Sequence, residues 1–256
     1  MMKKSRVLLP VLAGAVLSVL VSGCGPATSG ECVDKAAAAA ADGDWHRALK
    51  LTDRAVKLAP GNSDVLVFNA IAALRCGEAE RAYASASEAV NLAPGSFIAQ
   101  YTLGKVCMES PEHKGEAMRA LLNALKLRRD DRDTLVALCN LGIEIASPNS
   151  LSFLNMLKRD PEFAESAELC NQTALAYLRR NDIGNARQAL INAWRLGRND
   201  VTINYNAGCF FDRYAKTPPV ALKLYRNYMK LSENQPAEAA YRTEVAARIA
   251  ALEEKR

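Results

Sequence analysis

The chain has 256 residues, of which 50% are hydrophobic and only 6% aromatic, with 14 glycines and 10 prolines. This composition is rich in helix-forming residues and poor in strand-forming ones, so it predicts an all-α protein. The formal charge of +5 falls by three when Lys3, Lys4 and Arg6 are set aside, and no dense run of basic residues with interleaved aromatics remains. We therefore expect no nucleic-acid partner.

Residues 1–23 have the pattern of a cleaved secretory signal. Basic residues precede an apolar stretch over residues 7–21, which is shorter than the roughly 20 apolar residues of a comfortable membrane span. The segment ends in Val21-Ser22-Gly23-Cys24, which resembles the lipobox of bacterial lipoproteins. The resemblance implies cleavage after Gly23 and a diacylglyceryl group on Cys24. An ordinary signal peptide followed by a chance cysteine is the alternative.

The lipobox resemblance also implies a location. Two or three acyl chains hold a protein on a membrane far more firmly than one chain does. Gly25 stands where an aspartate retains enterobacterial lipoproteins in the inner membrane, so the resemblance implies the bacterial outer membrane, with the protein facing the periplasm. Residues 24–30 are predicted to form a short lipidated tether, which keeps the folded part close to the bilayer.

Residues 31–232 carry an internal period. Alanines seven apart are followed by a proline five residues later, and this pattern recurs after 34 residues, which resembles the tetratricopeptide repeat (TPR). The resemblance implies antiparallel helix pairs, with small residues where the helices cross closely, stacked into a right-handed superhelical solenoid. A helical-repeat array of another kind is the alternative. The matching pairs are Ala48 and Ala82, Ala55 and Ala89, Pro60 and Pro94, and Gly61 and Gly95.

Carried along the chain, this register predicts about six TPR helix pairs followed by a capping helix over residues 233–256. The match is poorest in the fourth unit, where Leu151 and Lys158 occupy positions that favour alanine. The capping helix has apolar residues, including Val245 and Leu252, toward one side and charged residues toward the other. The end of a stacked array requires such a polar outer face. The units span about 29–62, 63–96, 97–131, 132–166, 167–200 and 201–232.

The sequence contains no recognisable catalytic, metal-binding or cofactor motif. Its two histidines, His46 and His113, have no cysteine or carboxylate at metal-ligand spacing. Glycine-rich phosphate loops and the GxSxG nucleophile motif do not occur. We therefore expect no enzyme activity, no bound metal and no cofactor.

The six cysteines after Cys24 have two interpretations. An even number in an oxidising envelope is compatible with disulfides, and the register favours Cys76 with Cys107 if one forms. The register also places all six on first helices, where cysteine fills small apolar spaces, so buried thiols are the favoured interpretation. The six are Cys32, Cys76, Cys107, Cys139, Cys170 and Cys209.

The TPR resemblance implies a binding surface on the first helices. In that family, positions 2, 5, 9, 12 and 13 of each unit line a groove that binds a protein or peptide. The residues at such positions here mix apolar and polar side chains, which suits an extended or helical peptide. Packing between helices is the alternative for Tyr101 and Tyr205. The predicted groove residues are Val67, Ile71, Arg75, Tyr101, Lys105, Asn140, Asn171, Arg179, Tyr205 and Arg213.

These features predict a membrane-anchored envelope protein that binds partner proteins through a TPR groove, as a scaffold or assembly factor for an envelope complex. The second hypothesis is an accessory subunit of an envelope enzyme, or a glycan-binding lipoprotein. Tryptophans in the groove would favour glycan binding. Trp45 and Trp194 map instead to turn or second-helix positions, so we rank protein binding first.

Overall fold

The computed structural model describes residues 28–254, which form α-helices and short 3-10 helices and contain no strand. The predicted all-α fold is therefore confirmed. The 3-10 helices, Pro111–His113 and Pro236–Glu238, directly precede α6 and α13. The α-helices are α1 (Ser29–Ala41), α2 (Trp45–Leu58), α3 (Ser63–Arg75), α4 (Ala79–Leu92), α5 (Phe97–Cys107), α6 (Lys114–Leu127), α7 (Arg132–Glu144), α8 (Ser150–Leu157), α9 (Ala167–Arg179), α10 (Ile183–Leu196), α11 (Val201–Arg213), α12 (Pro218–Leu231) and α13 (Ala239–Glu253).

The helices follow one another as six pairs, from α1 with α2 to α11 with α12, and α13 follows the last pair. This confirms the predicted plan of about six helix pairs and a capping helix. The described residues divide into two compact units, an N-terminal unit of residues 28–141 and a C-terminal unit of residues 142–254. The boundary between the two units lies inside α7.

In the N-terminal unit, the small residues of the repeat lie where the helices of a pair meet. Ala48, Ala55, Ala82 and Ala89 have no exposed surface. The closest approach is at Gly104 of α5, where an added Cβ atom would lie 2.6 Å from the Cγ atom of Leu121 in α6. A side chain at that position would push the two helices apart, which explains why a glycine stands there.

The first helix begins at Ser29, the first residue of the first predicted unit. The Thr28 side chain accepts a hydrogen bond from the Glu31 amide at 3.2 Å, and the Glu31 carboxylate accepts one from the Thr28 amide at 3.4 Å. Such a reciprocal pair satisfies two amides at a helix start. As a result α1 begins at Ser29, inside the predicted tether. Residues 1–27, which include the predicted signal peptide and Cys24, lie outside the described residues.

In the C-terminal unit, the fourth helix pair departs most from the repeat. Its second helix, α8, has only 8 residues and is followed by turns over residues 158–166. Gly142 packs against this helix, since an added Cβ atom would lie 3.3 Å from the Cβ atom of Ser150. Ser150 is buried while Leu151 is partly exposed, so the small position falls one residue earlier than the register predicts.

The capping helix packs on the last pair mainly through its middle and its end. Val245 and Leu252 are buried, and Arg248 forms an ion pair with Asp212 of α11. The predicted capping segment starts at residue 233, but residues 236–238 form a 3-10 turn and α13 begins at Ala239. No helix within residues 28–254 combines the length and the hydrophobicity needed to cross a bilayer.

Candidate protein-binding groove

In the N-terminal unit, the predicted groove residues lie on α3, α5 and α7 but differ in accessibility. Val67 is only 5% exposed and belongs to a core cluster with Leu66, Ala89 and Ala99, while Ile71 packs on the edge of that cluster. Val67 therefore belongs to the hydrophobic core rather than to an accessible groove. Tyr101, Lys105 and Asn140 are partly exposed and Arg75 is exposed.

Tyr101 and Lys105 form the most unusual part of this surface. They lie one turn apart on α5, so both side chains are on one face of the helix. Burial is the main cause that raises the pKa of Tyr101 to about 12, with Asp133 and Asp131 acting in the same direction. Within residues 28–254, neither the Tyr101 hydroxyl nor the Lys105 ammonium has a hydrogen-bond or ion-pair partner.

Carboxylates near the end of α5 and the start of α7 act on Tyr101 and Lys105. Burial lowers the pKa of Lys105, while Glu109 and Asp133 partly oppose that effect. Burial also raises the pKa of Asp133, and Asp131 adds to the rise. Asp133 is absent from the predicted groove residues, although it occupies position 2 of the fourth unit. We use "groove face" for the surface formed by Ile71, Tyr101, Lys105 and Asp133.

Arg75, another predicted groove residue, contacts an aromatic ring of its own unit. Its guanidinium lies over the ring of Trp45, with 5.1 Å between the guanidinium carbon and the ring centroid. This is a cation–π arrangement between the end of α3 and the start of α2. Arg75 thus stabilises the packing of its own unit, a role that its position in the repeat does not reveal.

In the C-terminal unit, Asn171 is fully buried. Its side-chain oxygen accepts a hydrogen bond from Asn206 of α11 at 3.1 Å. Its side-chain nitrogen has no partner among the described residues. Asn171 therefore joins α9 to α11 in the interior, whereas Arg179, the last residue of α9, is exposed.

Tyr205 and Arg213 are in contact with the capping helix. Tyr205 has no exposed surface and its ring lies 5.3 Å from that of Tyr241 in α13. The Arg213 guanidinium donates a hydrogen bond to Glu244 of α13 at 2.9 Å. The capping helix contacts both residues, but only Tyr205 is buried beneath it, whereas Arg213 remains exposed. Only a cleft of about 240 Å³ remains beside them.

No protein-family model matches the sequence, and a search of curated proteins finds no match. Solved structures do match. A TPR protein from Parabacteroides merdae has a TM-score of 0.67 at 14% identity, over 88% of this chain and 92% of that one. PilW, a type IV pilus biogenesis factor, has a TM-score of 0.65 at 14% identity, over 81% and 94%. YrrB, a TPR protein with an unusual peptide-binding site, has a TM-score of 0.55 at 18% identity, over 72% and 93%.

The chain has a TPR fold. At such low sequence identities these structural similarities establish the fold but not the function.

The six cysteines of this TPR fold are free thiols, and Cys32, Cys107, Cys139 and Cys209 are buried. Burial raises the pKa of Cys107 and of Cys139 to about 12. Such thiols are poor nucleophiles and act as small apolar side chains. Four of the six are thus the buried thiols that the sequence favours, whereas Cys76, which follows the end of α3, and Cys170 are only partly buried. Cys76 and Cys107 form no disulfide.

The contacts of the two tryptophans and of His113 are with residues outside the groove face. Trp194 donates its ring N–H to Asn204 of α11 at 3.3 Å, and Trp45 carries Arg75 on its ring. His113 stacks on Tyr83, with 4.2 Å between the ring centroids. Residues 28–254 contain no group of three or more side chains placed to hold a metal ion.

Proposed function

We propose that this protein binds partner proteins or peptides through the groove face of its N-terminal unit, as a scaffold or assembly factor for an envelope complex. We further propose that a lipid on Cys24 anchors it to the bacterial outer membrane, facing the periplasm. We assign it no catalytic role. A partner held near the bilayer in this way would be kept within reach of other envelope components.

The observation that carries the binding proposal is the pair Tyr101 and Lys105. A half-buried ammonium or hydroxyl without a partner costs free energy, because each has lost part of its hydration without a replacement. A carbonyl or carboxylate oxygen of a bound chain would supply the missing acceptor for both groups. The apolar Ile71 would add contact area, and Asp133 would accept from an amide of the same ligand.

The structural neighbours support this use of the fold. YrrB is described as having a peptide-binding site and PilW as a pilus biogenesis factor. PilW resembles this chain over 94% of its own length, so the likeness covers nearly the whole of that protein. The anchoring proposal is supported by the basic residues, apolar stretch and lipobox-like sequence of residues 1–24.

The groove proposal is tested by purifying the protein with its partners from detergent-solubilised membranes of the organism. Tyr101→Ala and Lys105→Met should each deplete at least one partner that the wild type retains. Tyr214→Ala and Lys50→Met are matched controls, because both side chains are exposed and neither belongs to the groove face. An unchanged partner set in both groove variants would refute the proposal.

The anchor is tested separately by growth with radiolabelled palmitate. The wild-type protein should take up the label and fractionate with outer membranes. Cys24→Ser should abolish both results, since the thiol is the predicted site of lipid attachment. Equal labelling of the variant would show that the lipid is attached elsewhere or that the protein is not a lipoprotein of this type.

A further inference from the structure

The second helices of the N-terminal unit all end at an exposed leucine. α2 ends at Leu58, α4 at Leu92 and α6 at Leu127, and these side chains are 49%, 44% and 46% exposed. A single exposed leucine needs no explanation, but the same residue at the same place in three successive pairs is a pattern. We use "leucine edge" for the surface formed by these three residues.

The three leucines lie along one edge of the unit. Ala59 and Ala93, which directly follow Leu58 and Leu92, line the same cleft of about 510 Å³, together with Ser96. The end of α6 reaches the start of α5 at this edge, where the Arg128 guanidinium lies over the ring of Phe97 at 4.1 Å. The ends of all three second helices therefore face the same way.

The chain also enters the fold at this edge. The Ser29 hydroxyl at the start of α1 donates a hydrogen bond to the Ala55 carbonyl oxygen at 3.1 Å. Ala55 lies one turn before Leu58, so the first described residues adjoin the leucine edge. Cys24 precedes Thr28 by four residues, and four residues span at most about 14 Å even when fully extended.

We infer that the leucine edge rests on the lipid surface to which Cys24 is attached. This inference depends on the proposed lipid anchor. With a lipid on Cys24, the tether holds Thr28, where the chain enters the fold at this edge, within about 14 Å of the bilayer, which is little more than the diameter of one helix. Leu58 lies one turn after Ala55, which Ser29 contacts, so the leucine edge starts beside the tether and lipid is the apolar surface within its reach. A tethered contact also needs little affinity of its own, since the tether raises its effective concentration.

The charges at this edge fit a contact led by the leucines. Lys57 and Lys126, which precede Leu58 and Leu127, are exposed, and their long stems can lie along lipid while the ammonium groups stay in water. The exposed acidic residues Glu31, Asp64 and Asp130 occupy the adjoining helix starts and loop. Because the opposite charges nearly balance, the contact should depend only weakly on salt.

The wild-type lipidated protein allows a direct test without substitution. It is reconstituted into vesicles of phosphatidylethanolamine and phosphatidylglycerol that contain a lipid spin-labelled in its acyl chain, and the methyl signals are followed by NMR. The signals of Leu58, Leu92 and Leu127 should be lost. Those of Ala41 and Ala79, which are exposed at the opposite edge of the same unit, are the matched control and should persist.

The outcomes separate this inference from the anchor itself. Mass spectrometry of the same sample shows whether Cys24 carries the lipid, and an unmodified Cys24 would overturn both. A lipidated Cys24 with intact leucine signals would overturn only the inference and leave the anchor standing. Equal signal loss at Ala41 and Ala79 would also overturn it, because contact would then not be confined to one edge.

Discussion

The Arg248 guanidinium of α13 donates two hydrogen bonds to the Asp212 carboxylate of α11, at 2.6 and 2.7 Å. The Asp212 side chain is only 2% exposed, and the Tyr225 hydroxyl donates a third hydrogen bond to it at 3.2 Å. The bonds from Arg248 are the largest cause that holds the pKa of Asp212 below its ordinary value. The capping helix is thus joined to the last helix pair through a charged carboxylate.

Asp212→Asn should lower the free energy of unfolding by about 1–3 kcal/mol at neutral pH, because Arg248 and Tyr225 lose a charged acceptor. The pKa of Asp212 is lower in the folded than in the unfolded chain. Its contribution is therefore present above the unfolded value and is lost as the pH falls through the folded value. Urea unfolding should show the difference between wild type and variant shrinking below about pH 4.

A second ion pair between α11 and α13, which is exposed, supplies the control for that measurement. Arg213 and Glu244 are both more than 40% exposed, so water and salt screen their attraction. Arg213→Gln should therefore cost less than about 1 kcal/mol. A cost for Arg213→Gln equal to that for Asp212→Asn would contradict the distinction between the two pairs.

Gly104→Ala should destabilise the N-terminal unit by about 1–3 kcal/mol, because its Cβ atom has no room beside Leu121. Gly115 of α6 is the matched control, since an added Cβ atom there meets nothing within 4 Å. Gly115→Ala should be neutral or stabilise the protein by up to about 1 kcal/mol. Urea unfolding of the two variants measures both effects, and equal destabilisation would argue against a close helix crossing.

The fold can be predicted from the sequence because small residues recur at the repeat period. A residue such as Ala48 or Gly104 must be small wherever two helices cross, and the same crossing recurs in each pair. The fourth pair is harder to predict for two reasons. Its second helix, α8, is short, and the buried small residue is Ser150, one residue before the position that the repeat register predicts. Position in the repeat fixes which helix a residue is on, but a local insertion or deletion shifts the contacts.

The groove is less predictable, because repeat position does not determine what covers a side chain. Tyr101 and Tyr205 occupy equivalent positions, yet Tyr101 is partly exposed while Tyr205 lies under α13. The difference comes from the end of the array, where the capping helix takes the place of another unit. Arg75 likewise stacks on Trp45, a contact between side chains that no periodic rule encodes.

Cys107 and Cys139 should resist alkylation as long as the protein is folded. Burial raises the pKa of each to about 12, so at about pH 8 only about one thiol in ten thousand is the reactive thiolate. Cys76 is less buried and should react first. Mass spectrometry after iodoacetamide treatment, with and without urea, measures the order. Modification of Cys139 before Cys76 in the folded protein would contradict it.

Lys105→Met should make the protein more stable and a poorer binder. Burial lowers the pKa of Lys105, which means that the folded state disfavours the charged ammonium. Methionine keeps the unbranched shape without the charge, so the variant should gain up to about 1 kcal/mol at neutral pH. A residue kept only for folding would show a loss of stability instead.

The pH dependence of this gain follows from the sign of the shift. A lysine whose pKa is lowered by folding destabilises the folded state at any pH below the folded value. That penalty disappears as the pH rises to the unfolded value of about 10.4. The difference in unfolding free energy between Lys105→Met and wild type should therefore be largest at neutral pH and shrink toward pH 10. Lys50→Met, an exposed position in the same unit, should show no such difference. If Lys50→Met raised the unfolding free energy as much as Lys105→Met, the effect would come from the change in net charge. The burial of Lys105 on the groove face would then not explain it.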